Sequence, residues 1–99
     1  MKLLFICNFN QNRSVTAEHL FKDKYETKSA GVISGTPITK HALEWADKVF
    51  VMEEPQKLYI LKNFPAYEDK IINLNIPNNF FRDQEDLKKL LQEKVNSLL

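Results

Sequence analysis

Cys7, Arg13 and Ser14 are the residues of this sequence whose types and spacing could carry out chemistry. Five residues separate the cysteine from the arginine, and the hydroxyl residue follows the arginine directly. A cysteine thiolate is a strong nucleophile, and the planar guanidinium of an arginine can hold two oxygens of a phosphoryl group at once. A loop with this spacing is typical of dephosphorylating enzymes that use a cysteine nucleophile.

The segments on either side of this loop predict a strand before it and a helix after it. Residues 3–6 are a continuous apolar run, as in a strand that is buried on both faces. From Val15 to Lys24 the spacing is helical, with Ala17, Leu20 and Phe21 on one side. Open α/β sheets bind ligands where a strand leads into a helix, because backbone N–H groups and the helix dipole favour an anion there.

The whole loop is therefore a candidate phosphate-binding site. The predicted phosphate-binding residues are Asn8, Phe9, Asn10, Gln11, Asn12, Arg13 and Ser14. A ring of backbone N–H groups around an anion usually needs residues with positive φ. The loop has no glycine, but asparagine tolerates that conformation better than most residues.

A purely structural interpretation also fits these residues. Cys7 could be a small buried hydrophobic side chain, and an Asn-rich turn capped by Ser14 could simply start a helix. The chain has only two arginines, however, and one of them stands at the required spacing. We therefore favour the anion site.

Composition limits the other functions. The 99 residues predict a single domain, residues 1–99, and a net charge of +1 suggests neither a nucleic-acid nor a membrane partner. No apolar run is long enough to span a membrane, and Met1-Lys2 leads directly into a strand rather than a signal peptide. A lone cysteine fits a reducing cytoplasm, and His19 and His41 lie in separate predicted helices, so we expect no metal and no cofactor.

The remaining elements alternate between strands and helices. Predicted strands cover residues 26–30, 49–52 and 70–74, and predicted helices begin at Pro37, Pro55 and Asp83. Thr36 is expected to cap its helix, and Leu58 and Leu61 are expected to face inward from the next one. The last helix is amphipathic from Asp83 to Leu99. Such alternation predicts an α/β fold with a parallel sheet between helices.

Cys7-x5-Arg13-Ser14 followed by Ala17-Glu18 resembles the low-molecular-weight protein tyrosine phosphatase family. Segments 29–31, 46–53 and 76–80 also resemble that family, so the similarity covers nearly the whole chain. The chain is shorter than typical members and is most similar to a compact microbial branch of predicted tyrosine phosphatases. The resemblance, with right-handed crossovers, implies a three-layer sandwich with strand order 2-1-3-4. It also implies a phosphocysteine intermediate on Cys7, with Arg13 binding the phosphoryl group.

The sequence departs from the family where an acid is needed. The family has an aspartate at the position of Asn78, and an amide cannot protonate a leaving oxygen. Asp83 is the nearest carboxyl group, and it is expected either to cap the last helix, with Asp86 three residues on, or to act as a substitute acid. In the loop, Phe9 replaces a family glycine and Asn12 a frequent second cysteine, whereas Asn10 matches a bracing asparagine.

Several activities therefore stay open. The first is hydrolysis of phosphotyrosine or small aryl phosphates, with inorganic phosphate as product or inhibitor. The second is a phosphate- or phosphopeptide-binding module that has lost its acid. The loop also resembles that of phosphatases acting on the RNA polymerase C-terminal repeat, which keeps phosphoserine open, whereas arsenate reduction usually needs further cysteines. The oligomeric state does not follow from the sequence.

Overall fold

A four-stranded parallel sheet forms the centre of the protein, and the computed structural model describes residues 1–99. Its strands are β1 (Lys2–Cys7), β2 (Glu26–Gly31), β3 (Lys48–Val51) and β4 (Ile71–Asn73). The helices are α1 (Arg13–Phe21), α2 (Lys40–Trp45), α3 (Glu54–Asn63) and α4 (Glu85–Asn96), and a 3₁₀ helix (Pro65–Lys70) precedes β4. The strand order β2-β1-β3-β4 confirms the predicted parallel sheet.

Two apolar cores lie on opposite faces of the sheet. Because side chains alternate along a strand, Leu3 and Phe5 of β1 pack against α1 and α4, whereas Leu4 and Ile6 pack against α2 and α3. On the first face the ring of Phe5 stacks between those of Phe21 and Phe50, with centroids 5.8 and 5.5 Å away. The helices on both faces complete the predicted three layers.

The chain reverses its direction of travel across the sheet next to β1. It passes from β1 to β2 on one side and then crosses to β3 on the other side of β1. The carboxyl ends of β1 and β3 therefore lie together at a point where the following helices leave toward opposite faces. In open α/β sheets such a switch point leaves a crevice for a ligand.

The predicted start of the second helix is wrong. α2 begins at Lys40 rather than at Pro37, and its cap is Thr39 rather than Thr36, because Oγ1 of Thr39 accepts a hydrogen bond from the Ala42 N–H at 3.1 Å. Pro37, the predicted first helical residue, instead forms a parallel bridge with Gly31 and extends the edge of the sheet. The helix could not begin there because this backbone is extended.

The last helix is shorter than predicted at both ends. α4 begins at Glu85, and Asp83 is not its cap, because its backbone is left-handed with φ of 59°. The Asp83 N–H instead donates to Oγ1 of Thr16 at 2.8 Å, which ties this turn to α1. The helix ends at Asn96, so Leu98 is not on its apolar stripe.

The prediction for the inward face of α3 is half right. Leu61 is partly buried against the second core, but Leu58 is 56% exposed. Ile60 and Gln56 are the fully buried residues of this helix. The inward face of α3 is therefore formed mainly by Gln56 and Ile60 rather than by Leu58 and Leu61. The hydrogen bonds of Gln56, described below, explain why a glutamine is buried at this position.

Candidate active site

The loop between β1 and α1 surrounds a small depression of about 20 Å³. Its lining residues are Cys7, Asn8, Phe9, Gln11, Asn12, Arg13 and Asn78. Cys7 is the last residue of β1 and Arg13 is the first residue of α1, so the loop leads from the thiol to the N-terminus of a helix, where the helix dipole is positive. Of the seven predicted phosphate-binding residues, five line the depression, whereas Asn10 and Ser14 do not.

A chain of hydrogen bonds leads away from the thiol. Sγ of Cys7 lies 2.9 Å from Oγ of the buried Ser14, whose hydroxyl donates to Oδ1 of Asn10 at 2.8 Å. Asn10 has φ of 54°, so this asparagine supplies the positive φ expected in the loop. With the thiol protonated, S–H can donate to Ser14. With a thiolate, the serine hydroxyl can turn and donate to sulfur instead.

Two other segments of the chain hold the side chain of Arg13 in place. Its side chain is only 2% exposed, and Nη1 donates to Oε1 of Glu53 at 2.6 Å and to the Ile76 carbonyl oxygen at 2.7 Å. Both contacts use the same nitrogen. Nε and Nη2 have no partner within the protein, and no unpartnered side-chain nitrogen is fully buried, so both are at least slightly exposed. Arg13 itself lines the depression. The guanidinium is therefore oriented, with one edge left free for an anion.

Gln56 connects the start of α3 to the phosphate loop. Its Oε1 accepts the Met52 N–H at 2.7 Å and the Glu53 N–H at 3.0 Å, which is one half of a capping box. Its Nε2 donates to Oδ1 of Asn8 at 3.1 Å. The Gln56 side chain that makes these hydrogen bonds is fully buried. The helix cap and the loop are thus fixed by one residue.

Glu53 and Gln56 were missed as site residues by sequence reasoning. Glu53 falls in a segment that resembles the phosphatase family, but no role was assigned to it. The spacing of Glu53 and Gln56 could have indicated a helix cap. Their contacts with Arg13 and Asn8 span 40 and 48 residues, and no local pattern reports such contacts.

Gly31 allows the loop to pass close to the end of β2. It pairs with Cys7 in the sheet, and the next two N–H groups donate to the carbonyl oxygens of Cys7 and Asn8 at 3.1 and 2.8 Å. A Cβ at position 31 would lie 2.7 Å from the Asn8 carbonyl oxygen and 2.8 Å from the Asn10 nitrogen. Both are backbone atoms of the phosphate loop, so they could not simply rotate away.

Gly31→Ala should therefore damage both stability and the site. We expect a loss of about 1–3 kcal/mol in the free energy of unfolding, together with weaker phosphate binding, because the loop must shift to admit the methyl group. Gly35→Ala is the matched control, since a Cβ there has no neighbour within 4 Å. Urea denaturation and phosphate titration measure both effects, and equal behaviour of the two variants would contradict the close-approach explanation.

The acid candidates lie in different places. Asn78 lines the depression beside Cys7. Asp83 lies elsewhere: its Oδ1 is 3.7 Å from Nδ1 of His19, and both residues line a separate depression beside α1. The structure thus brings Cys7, Arg13 and the loop together, but it does not place the Asp83 carboxyl with them.

Two further features describe the surroundings of the site. The ring of Phe9 is 52% exposed at the edge of the depression, so it does not pack beneath the loop. No three histidine, cysteine or acidic side chains are grouped so that they could hold a metal ion.

None of the helices has the length and apolar character needed to cross a membrane.

Known proteins resemble this chain through their structures rather than through their sequences. No protein-family model matches the chain, and no curated protein matches its sequence. Among solved structures, a YwlE mutant from Bacillus subtilis is 24% identical with a TM-score of 0.82, over 99% of this chain and 98% of that one. YwlE arginine phosphatase from Geobacillus stearothermophilus is 22% identical with a TM-score of 0.83, over 98% and 92%.

Two tyrosine phosphatases give similar agreement. The low-molecular-weight protein tyrosine phosphatase from T. tengcongensis is 23% identical with a TM-score of 0.81, over 100% of this chain and 99% of that one. The tyrosine phosphatase Wzb from Escherichia coli K30, in complex with phosphate, is 21% identical with a TM-score of 0.81, over 98% and 94%. The chain therefore has the fold of the low-molecular-weight protein tyrosine phosphatases, and the resemblance stated from its sequence is confirmed at the level of the fold.

Proposed function

We propose that this chain is a cysteine-dependent phosphomonoesterase of the protein tyrosine phosphatase type. One observation carries the proposal: the thiol of Cys7 and the free edge of the Arg13 guanidinium converge on a single depression at the N-terminus of α1. The same depression is lined by the loop that can present its backbone N–H groups to a phosphate. The similar structures are of phosphatases, which supports the same activity.

The reaction would proceed in two displacements at phosphorus. The Cys7 thiolate attacks phosphorus, a sulfur–phosphorus bond forms, and the bond to the leaving oxygen breaks with its electron pair. Water then attacks the phosphocysteine and releases phosphate and the thiolate. Nε and Nη2 of Arg13 would hold two equatorial oxygens through both steps, while the Ser14 hydroxyl would stabilise the thiolate as it departs.

An aryl phosphate is the ester that the rim of the site favours. The exposed ring of Phe9 can contact an aromatic leaving group that projects from the depression, whereas a serine side chain would not reach it. We therefore place phosphotyrosine before phosphoserine. Phosphoarginine belongs in the same test panel, since one of the similar structures is an arginine phosphatase. The Cys7 thiolate can attack phosphorus only while it is reduced, so the proposed mechanism favours a cytoplasmic location.

A binding module is the second candidate, and Asn78 is the observation that favours it. The depression keeps its arginine and its loop, but the side chain beside them cannot give a proton. Such a site could bind phosphate or a phosphopeptide without turning it over.

The deciding experiment is hydrolysis of para-nitrophenyl phosphate in the presence of a metal chelator, across a range of pH. We expect turnover, competitive inhibition by vanadate, and a phosphoryl group on the peptide containing Cys7 after acid quenching. Binding of phosphate without turnover would support the binding module. Turnover without a phosphorylated Cys7 peptide would contradict the proposed mechanism.

Asp83→Asn tests whether the distant carboxyl serves as the acid. We expect the same pH–rate profile and the same dependence on the leaving group as in the wild-type chain, because Asp83 lies beside His19 rather than in the depression. Steady-state kinetics with aryl phosphates measure both. A selective loss on poor leaving groups would show that Asp83 reaches the site and donates the proton.

A further inference from the structure

The depression contains no side chain that can donate a proton to a leaving group. Of its seven lining residues, one is the nucleophile, four are amides, one is an aromatic ring and one is an arginine. An amide holds its protons at neutral pH, and so does a guanidinium. Asn78, the lining residue that comes from outside the loop, can donate a hydrogen bond but cannot transfer a proton.

The carboxyl groups around the site are engaged elsewhere. Glu53 is the ion-pair partner of Arg13, with Oε1 2.6 Å from Nη1, so its carboxylate is already engaged with the guanidinium. Glu53 also lines a different depression, formed with residues 54–55 and 75–77. Asp83 lies beside His19 at the edge of α1. Neither carboxyl group belongs to the lining of the depression that holds Cys7.

No side chain of this lining can therefore neutralise a leaving oxygen by proton transfer as it departs. In phosphoryl transfer the bond to the leaving oxygen is largely broken in the transition state, so negative charge collects on that oxygen. A positioned general acid normally contributes about 10²–10⁴-fold to such a step. That contribution matters most for an alkoxide, less for a phenolate, and hardly at all for a carboxylate, whose conjugate acid has a pKa near 4 compared with about 10 for a tyrosine phenol.

We propose that the preferred substrates of this site are acyl phosphates, the mixed anhydrides of phosphoric acid and a carboxylic acid. The inference rests on the proposed function, because it uses the same thiolate and the same arginine. Sγ of Cys7 forms a bond to phosphorus, the bond between phosphorus and the acyl oxygen breaks, and a carboxylate leaves with the electron pair and needs no proton. Water then cleaves the sulfur–phosphorus bond and releases inorganic phosphate.

The test compares two substrates that share a phenyl ring but differ in their leaving group. Benzoyl phosphate releases a carboxylate, whereas phenyl phosphate releases a phenolate, and both can contact Phe9. After correction for spontaneous hydrolysis, kcat/KM for benzoyl phosphate should exceed that for phenyl phosphate by about 10²-fold or more. para-Nitrophenyl phosphate and 2,4-dinitrophenyl phosphate should lie between them, in the order of their leaving-group acidity.

Asn78→Asp supplies the missing carboxyl group and tests the cause. It should raise kcat/KM for phenyl phosphate by about 10-fold or more below neutral pH, and change benzoyl phosphate by less than about 3-fold. Asn79→Asp is the matched control, because it makes the same change of charge at an exposed neighbour outside the lining of the depression. That variant should give no selective gain on phenyl phosphate.

The outcomes separate this inference from the proposed function. Similar kcat/KM values for the two wild-type substrates, with phosphorylated Cys7 trapped from both, would overturn the acyl phosphate preference and leave the phosphatase intact. An equal gain on both substrates in Asn78→Asp would also overturn it, because the effect would not be proton transfer. No trapped phosphocysteine from any substrate would overturn the proposed function, and the inference with it.

Discussion

Cys7→Ser should lower kcat for para-nitrophenyl phosphate by at least about 10³-fold, because the chain has no other group that can replace the thiolate. Cys7 is the only cysteine, and its sole polar side-chain partner is the hydroxyl of Ser14, which is not a base. An alcohol at this position would stay protonated and would be a poor nucleophile. The depression should otherwise keep its shape, because a hydroxyl is smaller than a thiol and fits the same space without a clash.

Binding distinguishes a lost nucleophile from a lost site. Titration calorimetry with inorganic phosphate should give Cys7→Ser an affinity within about 10-fold of the wild-type value, since Arg13 and the loop are unchanged. Thermal unfolding should likewise change little. Substantial residual turnover would mean that another group attacks phosphorus, and loss of phosphate binding would mean that the thiol also holds the loop in place.

Arg13→Lys should reduce kcat/KM by about 10²–10³-fold although the charge is kept. The guanidinium performs two tasks at once: Nη1 binds Glu53 and the Ile76 carbonyl oxygen, while Nε and Nη2 remain for the substrate. An ammonium group offers a single centre of charge. Paired with Glu53, it would no longer reach two phosphate oxygens, so both phosphate affinity and transition-state stabilisation should fall.

Arg82→Lys provides the matched control, since the chain has only these two arginines. Arg82 donates from Nε to the carbonyl oxygen of Gln11 at 2.5 Å, and Arg82 does not line the depression. Its replacement should reduce kcat/KM by less than about 10-fold, because the contact supports the loop without facing the substrate. Steady-state kinetics and phosphate titration of both variants check this ranking. An equal loss in the two variants would show that loop geometry, rather than the Arg13 fork, controls activity.

The sequence predicts the parts of the site that lie close together along the chain. The apolar run of β1, the spacing from Cys7 to Arg13 and the start of α1 fall within about twenty residues. The strand order was predicted from right-handed crossovers together with the resemblance to the phosphatase family, since the crossover rule alone leaves several arrangements. Asn10 with its positive φ is likewise a local property of the residue type.

Features that depend on distant contacts were not predictable in the same way. Thr36 and Thr39 are both plausible caps, and only the bridge from Pro37 to Gly31 decides between them. Aspartate is a residue type that often caps helices. Asp83 does not cap α4, however, because its backbone is left-handed and its N–H donates to Thr16 on α1. The inward face of α3 includes Gln56 because the phosphate loop lies nearby, which periodicity cannot indicate.

The shared nitrogen of Arg13 would link phosphate binding at the site to the folding equilibrium of the chain. Through Nη1, the first residue of α1 joins the cap of α3 and the turn after β4, which are 40 and 63 residues away in sequence. A chain that releases either segment also loses the orientation of the guanidinium, so partly unfolded forms should bind phosphate poorly. By mass action, phosphate at one hundred times its dissociation constant would then stabilise the folded chain by about 2.7 kcal/mol. Melting curves recorded with and without phosphate would therefore report ligand affinity without any assay of turnover.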